Sequence, residues 1–147
     1  MNYNVDGLNA ISLDERLVKA YIGNKADKMY SSIKNGGINI FGILFGVFYY
    51  AYRKMYLVSI IIAIIVQLLG LIPAFNNYSN TIAWVIGFCF CPLYKWDITR
   101  KLRKIKSENV NSTEEELISI ASKNGGTSIV GLIVFIIAFM ILVFFTM

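Results

Sequence analysis

The sequence predicts an all-α, polytopic integral membrane protein, because its apolar residues form long blocks and its charges lie between those blocks. Of the 147 residues, 56% are hydrophobic. A soluble domain of this size would instead spread its apolar positions at helical or strand spacing, to leave a polar face in water. All fourteen lysines and arginines fall in three places: residues 1–34, the pair Arg53-Lys54, and residues 95–123.

Two of the apolar blocks are long enough to cross a bilayer. Residues 127–147 contain no charged side chain. They would form a helix about 31 Å long, which matches the hydrocarbon core. Residues 55–75 are comparable, and the small or polar positions within them are ones that membrane helices tolerate. Residues 37–52 and 81–94 are apolar but shorter than a usual span, so their placement depends on the distribution of charge.

The positive-inside rule orients these blocks. The loop 76–80 carries no charged side chain and is expected outside, whereas Arg53-Lys54 and the basic segment that starts at Lys95 are expected in the cytoplasm. The C-terminal end is also uncharged and is expected outside. The predicted crossings are therefore residues 55–75 outward, residues 81–94 inward and residues 127–147 outward.

Residues 37–52 decide the location of the N-terminus. A crossing there would place five basic residues outside, whereas a re-entrant or interfacial segment keeps all fourteen in the cytoplasm. We favour the second arrangement, with three transmembrane helices plus one short re-entrant or interfacial helix at 37–52. A four-span protein with its N-terminus outside is the alternative.

The charged segments predict short amphipathic cytoplasmic helices. A capping box at Ser12 to Glu15 precedes a helix at about 13–22, and Asn24 is expected to cap a helix over 25–34. A second capping box, at residues 112–116, opens another short helix. The predicted organisation is a cytoplasmic helical hairpin (1–36), a membrane core (37–94), a basic then acidic cytoplasmic helical segment (95–126) and a C-terminal transmembrane helix (127–147).

One short pattern occurs twice. Lys34-Asn35-Gly36-Gly37 recurs as Lys123-Asn124-Gly125-Gly126, and the isoleucine and glycine that follow, Ile40 and Gly42, recur at the same spacing as Ile129 and Gly131. Glycines at these positions stop helices. The likeness indicates either a diverged internal repeat or two independent helix stops of the same chemistry.

Catalytic chemistry has little support in the sequence. Histidine is absent, so Cys89 and Cys91 lack the residue that would complete a metal site. Every acidic residue falls in a segment interpreted as cytoplasmic and solvated, and none of the apolar blocks contains an ionisable residue in its interior. We therefore expect no enzymatic activity, no cofactor and no nucleic-acid binding.

The residues expected to matter are of two kinds. Gly42 and Gly46 have the small-xxx-small spacing that lets membrane helices approach closely, within the protein or between copies, and Gln67 is expected to support helix packing. The basic residues are expected to set topology or contact lipid head groups, anionic ones in particular. They are Arg53, Lys54, Lys95, Arg100, Lys101, Arg103, Lys104 and Lys106.

The run from Phe45 to Tyr56, Phe-Gly-Val-Phe-Tyr-Tyr-Ala-Tyr-Arg-Lys-Met-Tyr, resembles the signature of a family of small prokaryotic membrane proteins, domain of unknown function 2628. Val47 stands in place of that signature's proline and Tyr49 in place of its tryptophan. Tyr94 and the basic helix after it look like the family's second motif, with Asp97 where a histidine is expected. The resemblance implies a bacterial source and a cytoplasmic Arg-Lys turn, and it implies no activity.

The leading hypothesis is a non-enzymatic protein of the bacterial cytoplasmic membrane, acting as a partner subunit or scaffold through helix packing and a basic cytoplasmic face. Its expected partners are the lipid bilayer and either further copies of itself or another membrane protein. The alternative is a small oligomeric channel or transporter, with Gln67 and Ser59 lining its pore.

Overall fold

The computed structural model describes residues 15–70, 72–73 and 79–146, and within these residues it contains α-helices and no strand. The prediction of an all-α fold is therefore confirmed. In chain order the helices are α1 (Glu15–Ile22), α2 (Ala26–Lys34), α3 (Ile40–Phe45), α4 (Val47–Tyr52), α5 (Tyr56–Gly70), α6 (Ser79–Phe88), α7 (Phe90–Glu108), α8 (Glu114–Asn124) and α9 (Ile129–Thr146).

Helices α1, α2 and α8 and residues 95–108 of α7 form one unit, here called the polar layer. Helix α1 packs against α2, α7 and α8, and α2 also packs against α7. Lys19 links the first two helices, with its Nζ 2.7 Å from the Asp27 carboxylate. The apolar stripes predicted for the hairpin are buried in this unit, together with positions from α7 and α8: Leu17, Val18, Tyr21, Ile22, Met29, Tyr30, Ile33, Ile98, Leu102, Ile105 and Ala121.

Two of the three predicted helix caps lie within the described residues, and only one forms. Thr113 caps α8 as expected: its hydroxyl accepts a hydrogen bond from the Glu116 amide at 3.3 Å, and the Glu116 carboxylate accepts one from the Thr113 amide at 2.8 Å. Helix α2 instead starts after Lys25, which has a φ of +60° and makes no side-chain cap. The expected cap at Asn24 is therefore wrong. Most of the first capping box, residues 12–14, lies outside the described residues.

Helices α3, α4, α5, α6 and α9 form the second unit, here called the apolar unit. Helix α3 packs on α6, while α4 packs on both α5 and α9. Phe48 of α4 lies edge-on to Phe135 and Phe139 of α9, with ring centroids 6.0 and 5.5 Å away. Much of this unit's apolar surface is nevertheless exposed, which distinguishes it from the polar layer.

Residues 37–52 form two short helices instead of one, because the helix breaks at Gly46. Gly46 has φ +48° and ψ −130°, a conformation open essentially to glycine alone. Both ends of the segment lie against the polar layer: the Asn39 side chain contacts the Met29 sulfur at 3.5 Å, and Arg53 reaches the Ile22 carbonyl at 3.3 Å. The chain therefore leaves the polar layer along α3 and returns to it along α4.

Replacing Gly46 by alanine should therefore destabilise the fold through backbone strain. A Cβ at Gly46 would meet nothing within 4 Å, so the cost is conformational and should be about 1–3 kcal/mol. Gly70→Ala is the matched control, since Gly70 has equal space and no positive φ. Thermal unfolding followed by circular dichroism would measure both. Equal melting temperatures for the two variants would contradict the strained turn.

The remaining helix boundaries differ from the sequence prediction. Helix α5 ends at Gly70, which makes it about 22 Å long. Helix α6 already starts at Ser79, inside the predicted loop, and ends at Phe88. Helix α7 then runs without interruption through Tyr94 into the basic segment. Among the described residues no single helix has both the length and the hydropathy of a membrane span, while α8 and residues Ile129–Phe145 of α9, bent by 41°, have them together.

The duplicated pattern is reproduced at the helix starts and not at the turns. Asn39 accepts a hydrogen bond from the Gly42 amide at 3.0 Å, and Ser128 accepts the matching bond from the Gly131 amide at 2.9 Å. In the turns, however, the positive φ falls on Gly36 in one copy and on the last glycine, Gly126, in the other. Both origins, an internal repeat and independent helix stops, stay open.

Candidate functional site at the junction of the two units

The polar layer and the apolar unit meet where the α4–α5 turn packs against α7. The turn lies within residues 45–56, and these contact residues 94–104 of α7. Lys101 joins the two directly, because its Nζ donates a hydrogen bond to the Lys54 carbonyl at 2.8 Å. The structure thus brings together the two segments that carry the family resemblance.

Arg53 is buried at this junction, with 5% of its surface exposed. Its Nε donates to the Tyr49 hydroxyl and one of its terminal nitrogens donates to the Ile22 carbonyl, both at 3.3 Å. The guanidinium also lies over the rings of Tyr49 and Tyr94, 5.7 and 5.8 Å from their centroids. These contacts hold the cation inside the protein, which corrects the expectation that Arg53 contacts lipid head groups.

Asp97 supplies a buried negative charge, with 1% of its surface exposed. Its Oδ2 lies 2.7 Å from Lys101 Nζ, and its Oδ1 lies 3.4 Å from an Arg100 nitrogen. The expectation that every acidic residue is solvated is therefore wrong at this position. Asp97 is buried because it shares the inward face of α7 with Tyr94 and Ile98, where α1 and the α4–α5 turn cover it.

Tyr21 of α1 lies at the junction on the side of the polar layer. Lys101 Nζ lies 6.0 Å from the centroid of its ring. Burial raises the pKa of the Tyr21 hydroxyl well above its ordinary value, and the charge of Asp97 adds to the shift. Tyr21 therefore stays neutral at physiological pH and does not add a second negative charge beside Asp97.

Lys54 connects the turn to the end of α8. It has a φ of +59°, and its Nζ donates to the carbonyls of Asn124 and Gly125. A lysine at this point satisfies the carbonyls that a helix leaves unpaired at its C-terminus and suits the helix dipole. The next turn is anchored as well: the Gly126 amide donates to Tyr21 O at 2.7 Å, and the Ser128 amide donates to Tyr52 O at 2.9 Å.

The eight basic residues singled out in the sequence therefore fall into two groups. Arg53 is buried, and Lys54 and Lys101 are half-buried and engaged in contacts within the protein. The other five are at least partly exposed along α7: Lys95, Arg100, Arg103, Lys104 and Lys106. The sequence alone did not distinguish the buried from the exposed residues, because all eight lie in the basic stretches that follow apolar blocks.

Of the predicted helix-packing residues, Gly42 packs closely and Gly46 does not. Gly42 is buried where α3 crosses α6, and an added Cβ would overlap Phe90. Its counterpart is Gly87, where an added Cβ would overlap the backbone of Ile43. Gly87 was not predicted from the sequence, because the glycine that it meets lies forty-five residues away rather than one turn along the same helix. The role assigned to Gly46 is corrected to that of a helix break.

The polar residues of α5 have different environments. Gln67 is half-buried on this helix. Ser59 is fully buried, and its hydroxyl donates to the Met55 carbonyl at 3.0 Å. Ser59 is therefore bonded to the backbone carbonyl of the residue that precedes α5.

The described part of the chain contains no group of three or more His, Cys, Asp or Glu side chains able to hold a metal ion. Cys89 is exposed and Cys91 is buried, and both are free thiols. The junction is thus a set of buried charges that join two helical units, in a protein of the all-α class. No protein-family model matches this chain, and no curated protein or solved structure matches it either.

Proposed function

We propose that the chain is a polytopic protein of the bacterial cytoplasmic membrane that acts, without enzymatic activity, as a scaffold or partner subunit. The observation that carries this proposal is the division of surface between the two units. Large apolar side chains are exposed over α3, α5, α6 and α9, whereas the described helices of the polar layer expose only one, Trp96. Soluble proteins rarely expose a contiguous apolar patch larger than a few hundred Å².

The exposed apolar residues form continuous stripes along the helices of the apolar unit, a surface suited to lipid. On α9 they occur on every turn along one half of the helix, opposite the Phe135 and Phe139 face that packs on α4: Ile129, Val130, Ile133, Val134, Ile136, Ile137, Met140, Ile141, Phe144 and Phe145. A helix that is apolar all round is either a core helix or a membrane helix. Since most of these side chains are exposed, the membrane is the environment that accounts for them.

The path of residues 37–52 supports the three-span topology. The segment leaves the polar layer and returns to it, and each of its two helices is only six residues, or about 9 Å, long. A re-entrant hairpin of this kind keeps residues 15–36 and the Arg53-Lys54 turn on the same side. The proposed crossings remain 55–75, 81–94 and 127–147, with the polar layer in the cytoplasm.

Membership of the family of domain of unknown function 2628 is part of the same proposal. Its support is that the two motif segments are in contact and that their residues have linked roles at the junction. Arg53 is held by the ring of Tyr94, and Lys101 binds the carbonyl of Lys54. At the position where the family's histidine is expected, Asp97 serves as the counter-ion of Lys101.

Labelling of single cysteines tests the topology. In a background with Cys89→Ser and Cys91→Ala, one cysteine is introduced in turn at Asn4, Asn77 or Met147. A membrane-impermeant thiol reagent applied to intact cells should label positions 77 and 147, and position 4 only after permeabilisation. Labelling of position 4 from outside would overturn the three-span arrangement. Labelling of all three sites only after permeabilisation, with the protein in the soluble fraction, would overturn membrane residence.

The role as a scaffold is tested by the mass of the complex extracted from native membranes in a mild detergent. A partner subunit should yield a stoichiometric assembly larger than the 16.6 kDa chain with its bound detergent. A monomer that retains no stoichiometric protein under these conditions would contradict the scaffold role.

A further inference from the structure

The outward face of α7 carries a gradient from apolar to basic residues along the helix axis. Residues on this face lie three or four positions apart, so they form one stripe on the side away from the polar-layer core. Pro92 lies at the end nearest the apolar unit, and Trp96, 52% exposed, follows one turn later. Four basic residues then continue along the same side: Arg100, Arg103, Lys104 and Lys106.

This order matches the order of environments across a membrane surface. Tryptophan rings settle at the interface between hydrocarbon and head groups. Arg100 lies about 6 Å beyond Trp96 along the axis and Arg103 about 10 Å beyond it. The head-group layer is about 5–8 Å thick on each side, so long basic side chains at these positions reach phosphate groups.

The cations of this face are also exposed to a ligand outside the protein, unlike those at the junction. Arg100 is 44% exposed, and it stacks on Trp96 with 5.1 Å between guanidinium and ring while touching Asp97 from the outside. Lys104 is 74% exposed, and its nearest carboxylate, Glu108, is 3.7 Å away and exposed itself. Arg103 is exposed, and the described residues offer it no ion pair. The face therefore keeps a net positive charge, which the Arg100–Asp97 and Lys104–Glu108 pairs neutralise only in part.

We propose that this face of α7, formed by Trp96, Arg100, Arg103 and Lys104, binds the head groups of anionic phospholipids in the cytoplasmic leaflet. The inference rests on the proposed membrane placement and adds a partner of defined chemistry and a defined site. Anionic lipid would hold the basic end of α7 at the surface, and thereby fix the polar layer against the membrane.

The test uses Trp96 as the reporter. The full-length Trp84→Phe protein, in which Trp96 is the only tryptophan, is reconstituted into vesicles that contain either phosphatidylglycerol or phosphatidylcholine, brominated at matching acyl positions. The ratio of Trp96 quenching by the two brominated lipids, at equal mole fractions, measures the preference of the site for anionic lipid. We expect a clear preference for phosphatidylglycerol, reduced at least about fivefold by Arg103→Gln with Lys104→Gln, since each basic residue contributes about fivefold.

A variant with the same loss of charge provides the control. Lys28→Gln with Lys123→Gln removes two exposed cations from α2 and α8 and should leave the preference unchanged. For the unaltered site, about 0.5 M salt should weaken the preference, because it screens exposed charges. Equal quenching by the two lipids would overturn the lipid-binding inference and leave the membrane placement intact. The same holds if the control variant reduces the preference equally, or if salt does not weaken the preference. Absence of quenching by either lipid would overturn the membrane placement itself.

Discussion

Asp97→Asn is expected to lower the free energy of unfolding by about 3 kcal/mol, the lower end of the range for breaking a buried ion pair. The change removes the carboxylate that lies 2.7 Å from Lys101 and 3.4 Å from Arg100, and it leaves both cations without that partner. The lower end applies because the two cations are 27% and 44% exposed, so water partly solvates the charge that remains. Chemical or thermal unfolding in detergent, followed by circular dichroism, measures the loss.

Two further variants show whether the effect comes from the buried charge. Glu108→Gln removes the acid of an exposed pair on the same helix and should cost well under 1 kcal/mol. Adding Lys101→Met to Asp97→Asn removes the stranded cation and should recover a large part of the stability, since apolar replacements of buried pairs are often neutral. If Asp97→Asn costs no more than Glu108→Gln, the buried pair does not hold the junction together.

Gly87→Ala is expected to destabilise the apolar unit by about 2–3 kcal/mol, the upper part of the range of costs for overpacking a core. The new methyl group would overlap the backbone of Ile43 and the carbonyl of Gly42. Backbone atoms cannot rotate away as the end of a side chain can, so α3 and α6 must separate. The loss of stability can be measured as a lower melting temperature in the same detergent.

Gly70→Ala is the control for this close crossing, because a Cβ at Gly70 would meet nothing within 4 Å. It should be neutral or slightly stabilising, since alanine favours a helix more than glycine does. The contact between α3 and α6 would be contradicted if Gly87→Ala melted at the same temperature as Gly70→Ala.

Local features of the chain were predictable from the sequence because they depend on neighbouring residues. The amphipathic stripes of α1 and α2, the capping box at Thr113 and the two Lys-Asn-Gly-Gly helix ends all appear where they were expected. The cap at Asn24 was not realised, and α6 extends into the predicted loop. Those differences concern the ends of helices, where a few residues more or less cost little free energy.

The environment of the charges was not predictable in this way. Asp97 and Arg103 both lie in one basic helical segment, and only its packing against α1 and the α4–α5 turn buries the first and leaves the second exposed. Gly42 and Gly46 likewise look equivalent in the sequence. The structure makes Gly42 a contact for α6 and Gly46 a break between two helices, because α3 meets a helix that follows much later in the chain.

The sequence by itself determined the alternation of apolar and charged segments and the all-α fold, since the partition of side chains between water and an apolar environment acts on each segment separately. The tertiary structure alone decided which charges are buried. Arg53 and Lys54 are held at the junction by groups from α1, α7 and α8, and the free energy of a buried charge depends on partners that fold against it from distant parts of the chain.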